Sequence, residues 1–167
     1  MKKGEEKMGL FSKKPKELEI IAPVDGQVIV LDKVEDEIFS QKMLGEGLAI
    51  KPSAGNFIAP IAGKLITVFP TGHAYGIKSN NGVKMLLHIG MDTVSLNGKG
   101  FDIQVKQDDN VKQGDLLCNV DLAVLKAENV PSLDTPIVFT PETMSGKTIN
   151  IIKTGNVKQG EIIAVIK

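Results

Sequence analysis

Two histidines are the residues of this chain best suited to group transfer near neutral pH, and the 167-residue sequence has no others. His73 and His88 lie 15 residues apart. An imidazole with a free lone pair attacks phosphorus well, and a second imidazole can hydrogen-bond the developing charge. The alternatives are two core histidines bonded to backbone, or zinc ligands. Two ligands are too few for a structural zinc site, and catalytic sites usually have three.

The turn between the two histidines predicts that they meet. Asn81-Gly82 is the strongest local hairpin signal in the chain. A hairpin centred near residue 80 or 81 folds His73 opposite His88, with Cβ atoms about 5 Å apart if the two are directly paired. No Ser-His-Asp or Cys-His spacing offers an acyl-transfer site. The spacing therefore favours one shared site.

The run around His88 predicts a strand that is buried on both faces, because it is short and rich in large aliphatic residues. Side chains alternate along a strand. Met85, Leu87 and Ile89 are expected on one face, with Leu86 and His88 on the other.

The amino-acid composition limits the classes of partner that this chain can bind. Twenty Asp and Glu residues balance twenty basic residues, all of them Lys, and the chain has one Tyr and no Trp. Neither a phosphate-binding stripe nor stacking platforms are present, so nucleic acid is excluded as a partner. A guanidinium contact to a phosphoryl group must come from another molecule.

The apolar runs, the charged N-terminus and the single cysteine together predict a cytoplasmic location. No apolar run approaches the ~20 residues that span a bilayer, and no hydrophobic stretch follows the charged N-terminus. The single Cys118 is expected to be a buried thiol in a reducing cytoplasm. Met8–Lys14 is either a small membrane-surface anchor, giving at most peripheral contact, or a solvated terminus.

Short β-type segments separated by Gly, Pro, Asn and Asp follow from Glu19 onward, which predicts an all-β sandwich or a barrel-like fold. Residues 1–18 are predicted to be a flexible extension and 19–167 a single domain. Helical turns are expected only at 121–126, with Asp121 as the N-cap, and around 36–39.

Two sequence patterns recur, which predicts two interleaved motifs in one body. Residues 21–29 are repeated at 58–66, and residues 110–117 at 156–163. Both copies of the first pattern precede both copies of the second. Two separate domains would instead each contain one copy of both patterns.

The residues around His88 also resemble a known signature. Gly82-x-x-Met85-Leu86-Leu87-His88-Ile89-Gly90-Met91-x-Thr93-Val94 resembles the active-site pattern of the glucose-type enzyme IIA of the bacterial phosphoenolpyruvate-dependent sugar phosphotransferase system. The likeness runs from about residue 20 to 167, with further matching stretches at 22–26, 35–47, 69–74 and 98–101. It implies an antiparallel β-sandwich of the duplicated hybrid motif type.

The resemblance implies a phosphotransferase component. His88 would accept a phosphoryl group on Nε2 from phospho-HPr and pass it to a sugar-specific IIB domain. His73 would stabilise the transferring group, Thr71 would orient His73, and the Gly90 carbonyl would hold the His88 tautomer. Partner-binding residues implied by the resemblance are Asp36, Ile38, Phe39, Met43, Leu44, Phe69, Leu86 and Asp92.

The resemblance also implies that no cofactor is required, while His73 and His88 could bind zinc with a third ligand from a partner. Three other functions stay open. A regulatory module could use the same face. A biotinyl- or lipoyl-like carrier would need Lys84 on a hairpin tip. A zinc peptidase would need more ligands than two histidines.

Overall fold

The computed structural model describes residues 17–167, and every strand pairing in this range is antiparallel. The strands are β1 Leu18–Ile21, β2 Gly26–Val30, β3 Glu46–Pro52, β4 Asn56–Ile58, β5 Gly63–Val68, β6 Ala74–Lys78, β7 Lys84–His88, β8 Phe101–Ile103, β9 Asn110–Val111, β10 Leu116–Val120, β11 Thr135–Phe139, β12 Ile149–Ile151, β13 Gly155–Val157 and β14 Ile162–Ile166. The helices are α1 Glu37–Ser40 and α2 Leu122–Ala127, with 3-10 turns at Leu31–Lys33, Thr93–Leu96 and Pro141–Thr143. The predicted all-β class is confirmed.

Both predicted helical turns are present, and α2 has the predicted N-cap, Asp121. The Asp121 carboxylate accepts from the backbone N–H groups of Ala123 and Val124. The Asp36 carboxylate caps α1 in the same way. The first strand, β1, begins at Leu18, which pairs with Ile166 of β14. Residues 1–16, with the candidate anchor, lie outside the described residues; none of the described helices is long and apolar enough to cross a membrane.

The internal repeats are neighbours in space, which confirms the interleaved architecture. β2 pairs with β13 so that Gly26 faces Val157, and β5 pairs with β9 so that the equivalent Gly63 faces Val111. The two copies also exchange backbone hydrogen bonds: Ile21 N–H donates to Pro60 O at 3.2 Å, and Ile58 N–H donates to Pro23 O at 2.9 Å.

Two equivalent glutamines tie these copies together. The Gln113 side-chain amide donates to the Pro60 carbonyl at 3.0 Å. The Gln159 amide donates to the Pro23 carbonyl at 3.2 Å. Each of these carbonyls also accepts a backbone N–H from the other copy, so the glutamine amide uses its second lone pair and reinforces the link between the copies.

β7 lies inside an eight-stranded sheet of order β13-β2-β3-β11-β7-β6-β5-β9. Met85, Leu87 and Ile89 are at most 1% exposed and pack into the main core. Leu86 and His88 are only partly buried, so the prediction of burial on both faces is wrong. The outer face is covered by a smaller cluster, which includes Phe39 and Met91, rather than by a second sheet.

Candidate functional site

The β6–β7 hairpin brings the two histidines together, although its register differs from the predicted one. Ala74, and not His73, lies opposite His88. Ser79 N–H donates to Val83 O at 2.8 Å, which makes a three-residue loop that ends in Gly82 at φ 91°. This left-handed third position moves the pairing by one residue. The two imidazole ring centroids are nevertheless 5.1 Å apart, with planes 81° to each other.

His88 is oriented by a backbone acceptor. Its Nδ1 lies 2.9 Å from the Gly90 carbonyl oxygen. Because a carbonyl only accepts, Nδ1 carries the proton, and Nε2 keeps its lone pair. The Phe39 ring packs against the imidazole with centroids 5.1 Å apart. The ring is therefore held with its nucleophilic nitrogen unprotonated.

His73 is oriented by a side chain on the turn before β6. Its Nδ1 lies 2.6 Å from Thr71 Oγ1. Only 3% of His73 is exposed, and the Phe69 ring meets its imidazole edge-to-face at 5.1 Å between centroids. A buried, tightly held imidazole costs little reorganisation when charge develops beside it.

Burial keeps both imidazoles neutral at pH 7. It lowers the pKa of His73 to about 4, and the neighbouring His88 charge acts in the same direction. Burial also lowers the pKa of His88, against the opposing effects of the Gly90 carbonyl and of the Asp36 and Asp92 carboxylates. A neutral His88 is the form that acts as a nucleophile.

The turn after β7 holds the Gly90 carbonyl in place. Gly90 has φ 73°, in the left-handed region. The hydroxyl of the fully buried Thr93 donates to the Ile89 carbonyl at 2.6 Å. A Cβ on Gly90 would lie 2.7 Å from Thr93 Cγ2, so only glycine fits here without displacement.

Gly90→Ala should lower the free energy of unfolding by about 2–4 kcal/mol, because it adds left-handed strain and a steric clash. Urea denaturation measures the change. Gly82→Ala is the matched control, since Gly82 is also left-handed but has no heavy atom within 4 Å of an added Cβ. It should lose only about 1–2 kcal/mol. Equal losses would show that the contact with Thr93 is unimportant.

Comparison with known proteins decides the family. A profile for the phosphoenolpyruvate-dependent sugar phosphotransferase system, EIIA 1, matches residues 18–145. The PTS system glucose-specific EIIA component of Mycoplasma capricolum is 53% identical over 152 residues, which cover 91% of this chain and 97% of that protein. The chain belongs to this EIIA family. It is a phosphoryl carrier of the sugar phosphotransferase system.

The solved structure of glucose permease IIA from Mycoplasma capricolum matches this EIIA with a TM-score of 0.85 and 52% identity, covering 90% of this chain and 96% of that one. A glucose-specific EIICBA component from Staphylococcus carnosus is 45% identical over 148 residues. The match covers 89% of this chain but 22% of that protein, so the chain corresponds to about a fifth of its length.

Exposed apolar side chains surround the histidines of this EIIA. Four of the predicted partner-binding residues are 41–69% exposed: Ile38, Met43, Leu44 and Phe69. Leu86 is partly buried beside His88 on the outer face of β7. Phe39 is only 5% exposed, supports the His88 ring from within and belongs to the smaller core cluster. It also lines the depression beside His88, and its contact with a partner stays a prediction.

Val94 belongs to the same surface and was missed by sequence reasoning. It is 53% exposed and lines the depression beside His88. The only available signal was its position at the end of the signature. An aliphatic residue just after a buried strand is usually core, whereas the 3-10 turn at Thr93–Leu96 points this one outward.

Two predicted aspartates flank His88 in different ways. Asp36 is partly buried, and its carboxylate accepts from the backbone N–H groups of Ile38 and Phe39 at 2.9 and 3.3 Å. Asp92 is exposed at φ 57°. Among the described residues, its carboxylate makes no capping hydrogen bond to the 3-10 turn that follows. Both carboxylates remain close enough to favour a charged His88.

The site is a shallow depression and not a deep pocket. The depression beside His88 has a volume of about 240 Å³. A larger cleft in the described part of the chain, of about 660 Å³, lies elsewhere and is lined by no histidine. Within residues 17–167, no group of three His, Cys, Asp or Glu residues could hold a metal ion. This shape suits contact with a macromolecular partner better than enclosure of a small substrate.

Proposed function

We propose that this EIIA carries the phosphoryl group on Nε2 of His88, receives it from the phosphohistidine of HPr and passes it to a IIB domain. The observation that carries the proposal is the 2.9 Å contact between His88 Nδ1 and the Gly90 carbonyl. That contact leaves one nitrogen free, and burial keeps the ring neutral. The family membership supplies the class of donor and acceptor.

The transfer step balances without a cofactor. The lone pair of His88 Nε2 forms the new N–P bond while the donor N–P bond breaks, and the bonding pair returns to the donor imidazole. The His88 ring then shares a positive charge. The Gly90 carbonyl accepts from its Nδ1–H, and the charges of Asp36 and Asp92 stabilise the cation. These groups offset the cost of burying a charged ring.

His73 stabilises the group in flight. Its Nε2–H donates to a phosphoryl oxygen when Thr71 donates its hydroxyl hydrogen to Nδ1, which fixes that tautomer. The two rings meet edge-to-face with centroids 5.1 Å apart, so a phosphoryl group on His88 lies next to His73. Since this chain has no Arg, any guanidinium contact to the phosphoryl group must come from the partner.

The exposed apolar residues around His88 form the docking surface in this proposal. Ile38, Met43, Leu44, Phe69 and Val94 are all substantially exposed. A partner that covers them removes water from the transferring group, which strengthens the electrostatic contacts. Basic residues of the partner meet Asp36 and Asp92.

Zinc binding by His73 and His88 stays a prediction. The two imidazoles provide two nitrogen ligands in one site, and a partner carboxylate would be the third. The sugar is proposed to be glucose, because glucose is the sugar in the names of two relatives at 53% and 45% identity. Choice of sugar would rest with the IIB and membrane components that accept the phosphoryl group.

The test is phosphorylation with phosphoenolpyruvate, enzyme I and HPr, followed by NMR of the labelled imidazole. We expect one acid-labile, alkali-stable phosphoryl group, with the N–P bond at Nε2 of His88. The Gly90 contact occupies the other nitrogen, so a label on Nδ1 would contradict the proposed geometry. An acid-stable label on Ser, Thr or Asp would overturn the mechanism.

A further inference from the structure

Three lysines form a continuous row across adjacent strands of the large sheet. Lys64 on β5 is paired directly with Lys78 on β6, and Lys78 is paired directly with Lys84 on β7. Asn110 lies opposite Lys64 at one end, and the backbone N–H of Thr140 donates to the Lys84 carbonyl at the other. No carboxylate stands within the row. Like charges directly opposite each other destabilise a sheet.

The row lies on the same face of the sheet as His88. Strand alternation places Lys84, Leu86 and His88 on the outer face of β7, since Met85 and Leu87 are buried beneath it. Lys84 and His88 are four positions apart, which is about 13 Å along a strand. The lysine row therefore belongs to the same broad surface as the proposed phosphoryl site.

The row carries little compensating negative charge. Lys78 is exposed and Lys84 is partly buried, and no ion pair within residues 17–167 includes either of them. Lys64 has only a 3.9 Å contact with the exposed Asp108. The strand register thus places three lysine side chains next to one another, and a carboxylate from outside would offset their mutual repulsion.

Charges of opposite sign lie at the two ends of this face. Asp36 and Asp92 act on His88 at one end, and the lysine row lies at the other. We propose that the row binds an acidic segment of a protein that docks over His88. The carboxylates of that segment would lie about 13 Å from the partner's own reacting residue. Such a pattern steers the partner and fixes its orientation more than it adds affinity. This inference rests on the proposed relay through His88.

The experiment compares two double variants with the same change in net charge. Lys78→Gln/Lys84→Gln removes two members of the row, and Lys126→Gln/Lys158→Gln removes two exposed lysines on other elements. The second-order rate constant is measured for uptake from phospho-HPr and, separately, for transfer to the IIB domain. The row variant should lose about 3–10-fold in at least one of these steps at low ionic strength, and the loss should disappear at high salt.

Two outcomes would overturn the inference. The first is equal rates for the row and control variants in both steps, while the wild-type protein still transfers phosphate; this would leave the His88 proposal intact. The second is binding of the wild type to vesicles of anionic phospholipid that the row variant loses without any change in transfer rate, which would assign the row to a lipid surface. Failure of the wild type to take up phosphate would instead contradict the relay itself.

Folding of the row variant is checked independently. Because two like-charge contacts are removed, its Tm should rise by about 1–2 °C relative to the wild type. The control variant removes no cross-strand pair and should show no such increase. A fall in Tm would mean that the lysine stems stabilise the sheet by packing and would contradict the argument from repulsion.

Discussion

His88→Gln should abolish phosphoryl uptake, with a loss of roughly 10⁴-fold or more in the rate. Glutamine offers no nitrogen with a free lone pair, because its amide nitrogen is a donor only. His73 is an inadequate substitute as a nucleophile. Its Nδ1 is occupied by the contact with Thr71, and only 3% of the residue is exposed. Incubation with radiolabelled phosphoenolpyruvate, enzyme I and HPr, followed by alkaline gel electrophoresis, measures the remaining label.

The His88→Gln variant should remain folded, which separates loss of chemistry from loss of structure. His88 is partly exposed at the end of β7, and the packing beneath this strand comes from Met85 and Leu87. Urea denaturation should give a free energy of unfolding within about 1 kcal/mol of the wild type. If the folded variant still acquired a label, a different residue would be the acceptor.

Much of the site follows from spacing alone. One strong turn between two histidines predicted that they share a site, and alternation along β7 predicted which side chains lie beside His88. The repeated stretches likewise predicted the interleaved sandwich. These inferences rely on local geometry, which a short sequence determines directly.

What the sequence left open depends on how distant elements pack. The hairpin register required knowing that Gly82 is the third residue of a left-handed loop and not the second of a tight turn. The burial of Phe39 depends on Leu31 and Met91, which come from separate loops. The lysine row emerges only once the registers of β5, β6 and β7 are known.

His73→Gln should separate acceptance of the phosphoryl group from its release. The nucleophile and the Gly90 contact that sets its tautomer are unchanged, so prolonged incubation should still label His88 fully. Transfer to the IIB domain should fall by about 10²–10³-fold, the effect of removing one preorganised donor from a transition state. Single-turnover transfer from the isolated phosphoprotein measures this step without interference from uptake.

Thr71→Val provides the graded comparison for this prediction. It leaves the His73 ring in place but removes the hydroxyl 2.6 Å from Nδ1, so the tautomer that donates from Nε2 is no longer favoured. Its transfer rate should lie between those of the wild type and His73→Gln. If His73→Gln transferred as fast as the wild type, the second imidazole would not contact the group in flight. If Thr71→Val were as slow as His73→Gln, the orientation of His73 would account for its whole contribution, because an imidazole in the wrong tautomer presents a lone pair, and not a proton, to the phosphoryl oxygens.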